Sequence, residues 1–197
     1  MRHSSAGKIG VMAACAMFVI ASAAIAGDHQ FVGASKCSTC HKTAAQGEQF
    51  PKWQASQHSK AFATLASDEA KEIGKKLSID DPQKSDTCLR CHVTGHGAAA
   101  EMLGPKYDAT EGVGCESCHG AGGDYIKKAT MEGLMTGAIE AASVGMVTPD
   151  DKLCVTCHND KSPTFKGFDY DKYVEKIAHP IPADRKAKYS APAGGSK

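Results

Sequence analysis

Cys115-Glu-Ser-Cys118-His119 is one of four copies of a single pattern. The others are Cys37-Ser-Thr-Cys40-His41, Cys88-Leu-Arg-Cys91-His92 and Cys154-Val-Thr-Cys157-His158. Two thiols three residues apart, followed at once by an imidazole, form the attachment signature of a c-type haem. The spacing answers a chemical need. Two sulfurs reach two vinyl groups on one porphyrin edge, and the next side chain swings beneath the ring to offer a nitrogen to iron. Disulfides and structural zinc also use paired cysteines. Neither explains a histidine after every pair, and thioredoxin-like motifs do not come four to so short a chain.

Around these motifs, composition and charge set the compartment and the class. Of nine cysteines in 197 residues, the motifs use eight. The ninth, Cys15, lies in the apolar stretch from Ile9 to Ile25, behind Arg2 and Lys8 and ahead of Ala24-Ile25-Ala26. A positive start, a short apolar run and an A-x-A site read as a secretory leader. Residues 1–26 are therefore expected to be removed, because the apolar run falls short of the ~20 residues that span a bilayer. The expected protein is exported, periplasmic or extracellular, and not an integral membrane protein. The formal charge of +1 gives no basic excess for nucleic acid. One domain, 27–180, is expected, with 181–197 as an extended or disordered tail rich in Pro, Ala, Gly and Lys.

The histidines give a second tally. There are nine, and His3 lies in the leader. Beyond the motif residues His41, His92, His119 and His158, the chain has His29, His58, His96 and His179. Four irons with two imidazoles each would use all eight. Methionine is the alternative sixth ligand, with Met102, Met131, Met135 and Met146 available, although Met131 and Met135 stand at helical, core-like spacing. His96 lies too near His92 to cap the far face of the same haem. It is placed to reach a neighbouring one. His29, close to the expected mature N-terminus, is placed for a haem of its own chain or of a neighbouring molecule.

The elements read as short helices around a haem core, a mainly α class with much irregular loop. Residues 43–65 carry Phe50, Trp53, Phe62 and Leu65, with Pro51 a candidate break and Trp53 a packing residue. Residues 67–77 form a solvated helix capped by Ser67. Residues 123–142 make a longer helix weakened by Gly133 and Gly137. Thr148-Pro149-Asp150-Asp151 is a helix start with Thr148 as cap. Tyr170, Tyr173, Val174 and Ile177 share one helical face that delivers His179 before Pro180. Glycines 112, 114, 120, 122 and 123 permit close approach of backbone to a flat ring.

Several stretches together resemble the cytochrome c554 family of tetrahaem electron carriers. They are Phe31-Val32-Gly33, Trp53 with His58-Ser59-Lys60-Ala61-Phe62, residues 88–97, residues 112–120, Ser162-Pro163 and Ile177-Ala178-His179-Pro180. The resemblance implies a mainly helical fold organised by four covalently bound haems, in stacked and near-perpendicular pairs. It implies that His58 reaches the iron of His158, and that His179 reaches the iron of His119. The cytochrome for which the family is named has no histidine at the place of His96, and its second haem is five-coordinate. It also takes the sixth ligand of its first haem from between motifs three and four, where residues 120–153 here hold no histidine. His29 and His96 are thus the candidates for the irons of His41 and His92. Extracellular tetrahaem cytochromes that polymerise into conductive filaments are a second similar group.

The expected function is one-electron, outer-sphere transfer through packed haems in the cell envelope, toward redox partner proteins or extracellular acceptors. Two alternatives stand beside it: a subunit of a conductive filament formed by self-association, and an enzyme with one open haem acting on nitric oxide, nitrite or hydroxylamine.

Overall fold

The computed structural model describes residues 29–190, so the expected leader with Cys15, and residues 191–197, lie outside the described residues. The chain is mainly helical. In order, the helices are α1 (Ala34–His41), α2 (Gln49–Ala55), α3 (Ala61–Thr64), α4 (Asp68–Lys76), α5 (Asp86–His92), α6 (Cys115–His119), α7 (Lys128–Thr136), α8 (Asp151–Cys154), α9 (Tyr170–Val174) and α10 (Ala183–Ser190). None exceeds nine residues, and turns of 3-10 helix and irregular loops join them. Extended pairing among the described residues is one parallel bridge, Phe31 with Leu103. There the Phe31 N–H donates to the Met102 carbonyl at 2.7 Å.

Local chemistry explains where these helices start and stop. Ser67 caps α4 by accepting the Ala70 N–H at 3.1 Å. The expected helix over 43–65 is broken into α2, α3 and two 3-10 turns. Pro51 does not cause the break, since it sits in the first turn of α2, where a missing N–H costs nothing. The helix expected over 123–142 is only α7. Gly137, left-handed at φ 73°, ends it by donating to the Gly133 and Leu134 carbonyls. The cap before α8 is Asp150 rather than Thr148, with its carboxylate accepting the Leu153 N–H at 2.9 Å. Part of the expected extended tail is helix α10, which packs against α7.

The cap of α1 comes from elsewhere in the chain. Gly33 has no side chain to offer. Instead the Glu111 carboxylate accepts from Ala34 N at 2.6 Å and Ser35 N at 3.0 Å, and Glu116 accepts from Gly33 N at 2.8 Å. These bonds answer the orphan donors of the helix start and tie α1 to the approach of α6.

The apolar interior is very small. Among the described residues the buried hydrophobic side chains are Ala34, Leu65, Val93, Ala121 and Tyr125. A chain of this length ordinarily packs its elements around one continuous apolar core. Here the protein supplies only fragments of one.

Candidate haem sites

Each motif is wound into a helical turn. In α1, α5 and α6 all five motif residues are helical. The cysteines at i and i+3 and the histidine at i+4 therefore lie on one side of the helix. In the fourth motif α8 ends at Cys154, but the His158 N–H still donates to the Cys154 carbonyl at 3.0 Å, which keeps the same turn.

The motifs gather in two neighbouring clusters. In the first, α1 packs on α6 and brings the Cys37 thiol beside that of Cys115. The Cys115 neighbour and burial push the Cys37 thiol far up, while the Cys37 neighbour holds Cys115 down against burial. His179 faces His119 there, with ring centroids 5.9 Å apart. The second cluster lines a cavity of about 640 Å³ with Cys88, Cys91 and His92 of motif two, Cys157 and His158 of motif four, and His58. His58 faces His158 with centroids 5.9 Å apart. Cys118 joins the two clusters. Burial, and then Cys154, push its thiol up to about 11. The motifs therefore neighbour one another in the order one, three, four, two.

Two facing imidazoles at this separation are spaced to share a metal. Metal–nitrogen bonds of ~2 Å on each side of one ion put the ring centres roughly 6 Å apart. Burial lowers the basicity of His41, His58, His119 and His158, which favours the neutral form that binds metal. Among the described residues, no three or more His, Cys, Asp or Glu side chains converge as a conventional ion site. Paired imidazoles beside paired thiols fit a flat macrocycle between them better than zinc.

Hydrogen bonds separate the remaining histidines. A carbonyl or carboxylate oxygen can only accept, so it fixes a proton on the ring nitrogen facing it. His92 donates from Nδ1 to the Ala61 carbonyl at 2.7 Å, His119 to Val147 at 3.3 Å, and His179 to Ile177 at 2.8 Å. His41 donates to the Gln49 amide oxygen at 3.3 Å. His29 donates from Nδ1 to Asp124 at 2.6 Å. All five leave Nε2 with its lone pair, the pattern that outer partners impose on metal-binding imidazoles. His96 is the reverse, since its Nε2 faces Asp86 at 3.1 Å, at the start of α5. The His29 ring rests against Gly145, within the segment between motifs three and four.

Second contacts hold the motif helices. Trp53 donates from Nε1 to the Val113 carbonyl at 2.8 Å and packs on Phe50, as its reading as a packing residue anticipated. Gly112, at φ 74°, lies so near His58 that a Cβ would stand 2.8 Å from its carbonyl oxygen. The close approaches at Gly112 and Gly120 are to other backbone, the latter to the Gly145 carbonyl.

Two features escaped the sequence. Glu116, between the cysteines of motif three, is buried to 4% exposure. Its only sequence signal is a charge directly after a motif cysteine in a glycine-rich stretch. An aromatic column also runs outward from His158. Phe168 stacks on it at 4.7 Å, and Tyr173 stacks on Phe168 at 5.6 Å under Lys176. Spacing within one helix cannot reveal a stack that spans a loop.

The family model described as "Cytochrome c554 and c-prime" matches residues 36–120. Over 171 residues the chain is 33% identical to "Cytochrome c-554" of Nitrosomonas europaea, covering 80% of this chain and 70% of that protein. No solved structure matches.

Proposed function

The chain belongs to the cytochrome c554 family, and from that premise, which makes it a c-type cytochrome of electron transfer with covalently bound haem, we propose a tetrahaem carrier of the cell envelope. The observation that carries the proposal is the gathering of four Cys-x-x-Cys-His turns into two adjoining clusters, each with an added histidine facing a motif histidine at 5.9 Å. The paired cysteines 37/40, 88/91, 115/118 and 154/157 would hold the porphyrins, and His41, His92, His119 and His158 would bind iron from one side. His58 would complete the iron of His158, and His179 that of His119. When bound, the haems supply reversible one-electron chemistry.

The protein's part is to fix and space them. The order of motifs in space makes a single file: one, three, four, two. Nδ1 bonds to the backbone hold the imidazoles in the binding tautomer. The scarcity of buried apolar side chains fits a domain whose core is completed by porphyrin. His29 is the proposed second ligand for the iron of His41. It has its Nε2 free and rests on the segment between motifs three and four, where the family's namesake carries its own ligand for that haem. Among the described residues no helix is long and apolar enough to cross a membrane. With the expected leader, we place the protein in the periplasm or outside the cell, passing electrons to partner proteins.

A second reading attaches to His92. His96 presents an engaged Nε2 to Asp86, and this favours one haem with an open position, as an enzyme acting on nitric oxide, nitrite or hydroxylamine would need. EPR of the oxidised holoprotein, after a pyridine haemochrome count of four, tests both readings. Four low-spin signals and no carbon monoxide binding after reduction support the closed carrier. One high-spin signal with carbon monoxide binding supports the open site. His58→Ala and His179→Ala should each convert one further low-spin iron to high-spin. Unchanged spectra in both would remove these residues as ligands.

A further inference from the structure

Glu116 takes no part in the ligation just described, yet it is the most buried charged side chain among the described residues. Its Oε1 accepts from Val32 N at 2.8 Å and Gly122 N at 2.7 Å, and its Oε2 from Gly33 N at 2.8 Å. All three donors are neutral backbone groups, and among the described residues no ion pair gives it a cation. The carboxylate lies where α1, bearing motif one, meets α6, bearing motif three. At Gly122 an added Cβ would stand 3.1 Å from its oxygen, so the backbone closes directly over it.

Resting on the four-haem reading above, we propose that Glu116 is a fixed internal negative charge that holds down the reduction potentials of the first and third haems and so gives the haem file its direction. Reduction adds an electron to a haem. A nearby anion makes the reduced form less favourable and lowers the potential. Water and salt screen such a charge at the surface, but screen it far less when it is buried. The three N–H dipoles stabilise the carboxylate in place. Their fields fade with distance faster than that of a net charge, so one unit of negative charge still acts on neighbouring groups.

Glu116 stands on the turn that carries Cys115 and Cys118, and its Oε2 holds the Gly33 N–H at the start of the helix that carries Cys37 and Cys40. Glu111, half-buried on the α1 N-terminus, is a second and weaker source of the same sign. The cluster of motifs two and four has no buried carboxylate among the described residues, and the acids next to motif four, Asp150 and Asp151, are exposed. The Asp, Glu, Lys and Arg side chains lining its cavity are Glu69, Arg90 and Lys161, all exposed.

The polarity follows. With four haems bound, an electron would pass from the motif one and three end toward the motif four and two end; one ferrous iron would become ferric as one ferric iron became ferrous, with no bond made or broken and no proton moved.

The test is a redox titration of the holoprotein followed by EPR and visible absorption, after the haem count. Glu116→Gln should raise two of the four midpoint potentials and leave two in place. Glu116→Asp, which keeps the charge, should restore them toward the wild-type values even where it lowers the melting temperature. Glu111→Gln, at a more exposed position, should raise the same two by less. Potentials that stay fixed in Glu116→Gln, or four that move equally, overturn the proposal. If Glu116→Gln does not accumulate, Glu111→Gln decides, and unmoved potentials there overturn it. A count other than four overturns the carrier reading itself, before any potential is compared.

Discussion

At the scale of the residue, the histidines divide by which ring nitrogen their neighbours occupy. The sequence supplied the tally of eight, but a count cannot show tautomers, and His29 and His96 look alike in it. In the structure Asp124 takes Nδ1 of His29, while Asp86 takes Nε2 of His96. Only the first leaves the nitrogen that a haem iron ordinarily meets. His29→Ala is therefore expected to convert one low-spin iron to high-spin, and His96→Ala to leave the low-spin count unchanged, as the open position at the His92 iron requires; EPR of the two variants measures the difference. Loss of a low-spin signal in His96→Ala alone would reverse the assignment.

The same imidazoles set an acid limit. His41, His58, His119 and His158 are each held below the ordinary histidine value, with burial the first cause. The folded chain thus binds fewer protons there than the unfolded chain. Stability from these groups is present above their unfolded value of about 6.5, and is lost as pH falls from there through the lower folded values. Acid titration of the oxidised holoprotein should show low-spin bands giving way to high-spin bands only below about pH 6.5. Loss of ligation on raising the pH from neutrality would contradict this.

At the scale of the element, what was legible was type and purpose, and what was not was length. The Ser67 cap and the solvated α4 were readable because cap, acids and lysines follow one another in sequence. The helix ends were misplaced where a competing group decided them. Asp150 outcompetes Thr148 for the Leu153 N–H, and Gly137 turns left-handed where an interior glycine was expected. The pairing of His58 with His158 and of His179 with His119 was reached through family resemblance. No local spacing encodes contacts between segments so far apart.

Gly112 belongs to this scale too. With φ 74° and ψ −136°, it passes the chain under the His58 carbonyl, and the Thr94 N–H donates to the Gly112 carbonyl at 2.9 Å. A side chain meets both a disfavoured backbone angle and a rigid carbonyl. Gly112→Ala is expected to lower stability by about 1–3 kcal/mol and to loosen His58, read as a lower melting temperature with partial high-spin signal in the haem of His158. An unchanged melting temperature would show that the segment can move aside.

At the scale of the whole molecule, helices of at most nine residues are held by side chains that reach across the chain. Glu111 and Glu116 serve α1 from 75 or more residues away, Trp53 binds the approach to motif three, and α10 lies on α7. Such bonds assemble the file of motifs without an extensive apolar interior, and leave five buried hydrophobic side chains among the described residues.

That thin interior has a consequence for how the protein meets proteases. Under the four-haem reading, a domain with five apolar side chains buried among its described residues leaves much of its packing to the attached porphyrins. The holoprotein is then expected to resist limited proteolysis better than chain in which haem attachment has been blocked, and equal digestion rates would contradict this.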